Sequence, residues 1–120
     1  MPPLHTSLAS GRWAELSVVE QLANIGSEVD RTFRAHEAGR IDRRDHALAR
    51  ALELFDLTAS DPRWRGPRRR EVLRAREYFC DTVFSDRPDP RDAAFLRKYF
   101  LQFATAARQG VGRGAVQRQE

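Results

Sequence analysis

Apolar residues return every three or four positions over four stretches of this chain, and the pattern predicts four helices and no strands. In "SVVEQLANIGSEVDRTFRAHEAG" the stripe is Val18, Leu22, Ile25, Val29 and Phe33. Ser17 followed by Glu20 makes a capping box, Leu16 stands where a residue can staple back onto the first turn, and Gly39 suits a left-handed stop. The second helix is expected from Asp42, as cap, to about Thr58. Leu48, Ala51, Leu52, Phe55 and Leu57 would face inward, with Arg43, Arg44, Arg50 and Glu53 outward. Pro62 in "TASDP" closes that stretch, because the residue before a proline disfavours helix. Pro67 opens a third helix with Val72, Leu73, Phe79, Cys80 and Val83 on its inner side. Asp89 and Pro90 then start the fourth, "RDAAFLRKYFLQFATAARQG". Gly26, inside the first helix, costs about 1 kcal/mol relative to alanine and points to a close helix crossing.

The fourth helix carries more apolar surface than one seam requires. Phe95, Tyr99, Phe103 and Ala106 form one line, with Leu96 and Phe100 beside it. An outer helix of a bundle buries about three positions in seven. The excess predicts an exposed patch of Leu96, Phe100 and Phe103, closed by a symmetric homo-oligomer.

At 120 residues the chain is expected to be one all-α domain, a compact antiparallel four-helix bundle over 12–109. Residues 1–11 and 110–120 read as a flexible N-terminal and a disordered C-terminal tail. Cys80 is the one cysteine, so neither a disulfide framework nor a cysteine metal site is expected. The absence of a long apolar run predicts a cytoplasmic protein away from the membrane.

Charge changes the picture through its placement. The formal net charge is +4, yet residues 63–76 hold seven arginines against Glu71, a local +6 that leaves −2 for the remainder. Arg63, Trp64, Arg65, Arg68, Arg69, Arg70 and Arg74 are therefore the candidate nucleic-acid-binding residues. Guanidinium groups fork onto phosphates, and an exposed indole can stack on an unpaired base. Three arginines at a helix start also oppose the helix dipole, which suggests a demand other than stability. The competing reading is a solvated helix start with Trp64 folded down as a plug over the bundle end.

Two spacings, Arg31 to His36 and Arg40 to His46, are similar to the arginine–histidine pattern of HEPN ribonucleases, which are also helical bundles. On an unbroken helix the five-residue step turns about 140°, which separates Arg31 from His36. Asp42 and His46 fit a helix cap and an exposed ion pair. No catalytic triad, phosphate loop or zinc spacing appears, so an enzyme, a metal and a cofactor are not expected.

"RWAELSVVEQLANIGSEVDR", "RALELFDLTASDPRWRG" and "LRKYFLQFATAAR" resemble a family of small bacterial helical proteins, a likeness that covers most of 12–108 and implies a self-contained domain without a particular activity. In architecture alone, a short basic four-helix bundle is similar to the accessory variability proteins of retroelements and to the proteins of 23S rRNA intervening sequences. The resulting expectation is a non-enzymatic accessory protein that binds RNA or single-stranded DNA beside a reverse transcriptase or other ribonucleoprotein enzyme. The alternatives are an adaptor docking a protein through the fourth helix and, third, a HEPN-like ribonuclease.

Overall fold

The computed structural model describes residues 11–113; the expected tails at 1–10 and 114–120 lie outside the described residues. A 3₁₀ turn, Arg12–Glu15, leads into α1 (Val18–Glu37), followed by α2 (Ile41–Ala59), α3 (Pro67–Val83) and α4 (Pro90–Arg113). Among the described residues no strand is present, and the four helices form a bundle as the periodicity predicts. α1 is the central element, packed most extensively against α2 and α4, while α2 also lies along α3.

Local signals explain the boundaries. The Ser17 hydroxyl accepts from the Glu20 amide and the Glu20 carboxylate accepts from the Ser17 amide, both at 3.1 Å, closing the capping box. At the other end Gly39 adopts φ 71°, and the Arg40 amide donates back to the Ala35 carbonyl at 2.9 Å. That tight reversal runs straight into α2, whose N-cap is Arg40. Asp42 is therefore one residue inside the first turn and does not cap the helix as expected. Pro67 takes the first position of α3, and the Asp89 carboxylate accepts from the Arg91 amide at 2.9 Å to cap α4. α4 continues past Gly110, where a tail was expected, to Arg113.

Rings join all four helices across the core. Phe33 of α1 meets Phe79 of α3 edge-on at 5.7 Å, Phe79 reaches Phe55 of α2 at 5.9 Å, and Phe55 reaches Phe100 of α4 at 6.0 Å. Such pairs add about 0.5–1.5 kcal/mol each beyond their burial. At Gly26 the side chain of Phe100 from α4 packs directly on the backbone of α1. A Cβ there would stand 2.7 Å from the Cβ of Phe100, so only glycine admits this crossing.

That recess corrects the interface expectation. Leu96 and Phe100 are each 2% exposed and belong to the core, and half-buried Phe103 packs edge-on against Tyr99 at 5.3 Å. Leu96 and Phe100 thus have no surface left for a second subunit, and Phe103 keeps part of its ring exposed. Among the described residues the large exposed hydrophobics of α4 are Phe95 and Leu101, six positions apart and hence about 120° apart around the axis. Phe95 leans on Tyr78 at 5.5 Å. Leu73, expected inward, is exposed too, because the buried stripe of α3 runs through Val72, Ala75 and Phe79.

Candidate nucleic-acid interface

The arginine-rich segment begins at a buried polar knot. Gln21 of α1 is fully buried and its amide is satisfied on every side. Its nitrogen donates to the Trp13 carbonyl at 2.9 Å and to Asp61 at 3.0 Å, and its oxygen accepts from the Trp64 indole at 2.7 Å. The Trp13 indole, also buried, donates to the Thr58 hydroxyl at 2.9 Å. Together these bonds tie the 3₁₀ turn, the start of α1, the end of α2 and the loop that follows.

Arg63 belongs to this knot. Its guanidinium donates to both carboxylate oxygens of Asp61, at 2.7 to 3.2 Å, and to the Leu16 carbonyl at 2.7 Å. It also lies 4.5 Å over the Trp64 ring. The guanidinium holds the Asp61 carboxyl down to about 2, against the opposing effect of burial, and the pairing raises Arg63 in turn. Two of the candidate binding residues, Arg63 and Trp64, thus have polar groups committed to this internal knot. Trp64 is half-buried with its N–H committed to Gln21, which is the plug of the competing reading.

Beyond Trp64 the arginines separate by whether an acid meets them. Arg68 pairs with Glu71 at 3.1 Å, and Glu71 also accepts from the Tyr99 hydroxyl at 2.9 Å. Burial, with that bond to a carboxylate, pushes the Tyr99 hydroxyl well above its ordinary range. Arg76 reaches Asp56 of α2 at 3.0 Å. Arg65 uses one nitrogen on the Pro62 carbonyl at 3.0 Å. Arg69, Arg70 and Arg74 are exposed and have no polar side-chain partner among the described residues. Arg70 and Arg74 sit one turn apart on one face of α3, with Arg69 about 100° round from Arg70. This basic stretch ends at Glu77 and Asp81, both exposed.

The two arginine–histidine spacings have different fates. α1 is unbroken between Arg31 and His36; Arg31 pairs with Glu28, while Nδ1 of His36 lies 3.4 Å from Nη1 of Arg44. Arg40 and His46 do share a groove, between α1 and α2, together with arginines from both helices. Sequence reasoning missed this gathering because Arg43 and Arg50 read singly as solvated positions. Only the pairing of the two helices brings them to Arg31 and Arg34.

Compared with known proteins, the chain matches no family model, no curated protein and no solved structure.

Proposed function

We propose that this chain is a non-enzymatic accessory protein that grips the phosphate backbone of RNA or single-stranded DNA through the exposed start of α3. The supporting observation is the set of unclaimed guanidiniums on Arg69, Arg70 and Arg74, with Arg65 beside them using one nitrogen internally. Arginines already saturated by carboxylates have little left to offer a phosphate; these four retain most of their donors. Arg69 and Arg70 stand in the first turn of α3, where positive charge works against the helix dipole, so intramolecular stability does not explain them. A chain of this size fits a supporting role beside a larger reverse transcriptase or ribonucleoprotein enzyme.

Titration of fluorescent RNA and DNA strands, single and duplex, tests the reading. Arg69→Glu/Arg70→Glu/Arg74→Glu is expected to weaken strand binding at least a hundredfold. Equal affinity in wild type and triple variant would sink it. The adaptor reading draws less support, because Phe100 is turned into the core and Tyr99 and Phe103 pack against it, which leaves Phe95 as the exposed ring of α4.

A further inference from the structure

A second basic surface lies at the opposite end of the bundle from α3's arginines. The reversal at residues 38–40 and the start of α3 flank the two ends of α2, 19 residues or about 28 Å long. Near the reversal, Ala35, Ala38 and Ala47 line a groove of about 660 Å³ between α1 and α2. Arg31 and Arg34 line it from α1, and Arg40, Arg43, His46 and Arg50 from the reversal and α2.

Two features distinguish this groove from a solvated charged face. One is a buried anchor. Glu28, 5% exposed, binds Arg31 from its own helix and, at 2.9 Å, Nε of Arg50 from the facing helix. One carboxylate thus fixes a guanidinium on each wall. Arg50 also places Nη1 3.3 Å from Nδ1 of His46. The other feature is surplus charge. Arg34 has Asp30 at 3.5 Å, whereas Arg40 and Arg43 have no polar side-chain partner among the described residues. Asp42 is the one acid that lines the groove. Arg40 and Arg43 also stand at the start of α2, where positive charge is mildly unfavourable.

We propose that this groove is an anion site for the phosphate groups of a nucleotide, free or within a strand. Guanidiniums on both walls suit phosphate oxygens, which accept from forked donors. The volume falls within the roughly 300–1,000 Å³ of sites for small organic ligands, larger than an inorganic anion needs.

Two probes separate the sources: magnesium-free ATP and a fluorescein-labelled ten-nucleotide thymidine strand. Arg40→Glu/Arg43→Glu is the test variant, and Arg40→Gln/Arg43→Gln repeats it without introducing acids. Neither side chain holds the fold, and acids at a helix start are favourable, so both variants are expected to melt as wild type does. Binding weakened at least tenfold is the expected result. A loss confined to ATP identifies a free nucleotide; a loss that includes the strand identifies its backbone. The charge-matched control Arg87→Glu/Lys98→Glu, at exposed positions on other surfaces, keeps wild-type affinity. Unchanged affinity of the groove variants for both probes, an equal loss in the control, or no binding of either probe to wild type would overturn the proposal. The ATP measurement and the α3 triple variant address different residues, so each proposal can fail without the other.

Discussion

Asp61 and Glu28 are both buried carboxylates held by arginine, Asp61 just past the end of α2 and Glu28 at mid-length of α1. Around Asp61 the polar groups come out even. Arg63, Gln21, Trp13 and Trp64 all donate into one closed set, and no guanidinium is left over. Around Glu28 they do not. Two of five arginines in the groove are claimed there, one leans on Asp30, and Arg40 and Arg43 remain. Arginine number therefore says little about binding in this chain; the unspent donors do. A closed set builds stability, whereas a surplus at the surface adds little and leaves donors open to a negatively charged partner.

The contrast is broken most severely at the knot. Asp61→Ala takes one acceptor from Arg63 and one from the buried Gln21 nitrogen, and about 2–3 kcal/mol of stability should go. Chemical denaturation reads this, and the variant that remains folded should bind a nucleic-acid strand as wild type does. A loss below about 1 kcal/mol would show that the knot is not what holds this end together.

Acid should open the same region. The Asp61 carboxyl is at about 2 in the folded chain against an ordinary 3.8, so the unfolded state takes up the proton first. Its contribution, about 2 kcal/mol, is complete above pH 4 and is lost as pH falls from about 4 to 2. Asp61→Asn should flatten that part of the stability profile, and an unchanged profile would assign the acid sensitivity elsewhere.

Trp64→Phe is the next smaller change. It removes the donor to Gln21 and should cost about 1–2 kcal/mol in thermal or chemical unfolding. Strand affinity should stay at the wild-type value, because the indole faces the knot. A large fall in affinity without a fall in stability would return Trp64 to the binding face.

At the groove the expectation reverses. Arg40→Glu/Arg43→Glu should move stability by no more than about 0.5 kcal/mol while weakening nucleotide or strand binding. The two ends then differ in kind, one set of substitutions read by unfolding and the other by binding.

Local chemistry made the helices legible. Ser17 with Glu20, Gly39, Pro67, and Asp89 with Pro90 each state a boundary within a few residues, and each was found where it was expected. The inward arc of α4 was harder to read. Lines through Phe95 and through Leu96 are one position apart and equally apolar; the recess at Gly26, some 70 residues earlier, selects Phe100 and Leu96. The knot and the groove were not legible for the same reason. Trp13, Gln21, Thr58, Asp61 and Trp64 meet only after folding, as do Arg31 and Arg50, and neither set has a spacing that marks it. Charge density singles out the start of α3, but it does not tell a spent arginine such as Arg63 from one without a polar side-chain partner such as Arg70.

The claim that the unclaimed arginines of α3 carry the grip has a direct measure in the salt dependence of strand binding. Arg69→Gln/Arg70→Gln/Arg74→Gln removes three guanidiniums that hold nothing else among the described residues. On a single strand each phosphate contact contributes about 0.7 to the slope of log affinity against log salt. The triple variant should therefore bind more weakly, with a slope shallower by about 2. A slope and affinity equal to wild type would contradict the account.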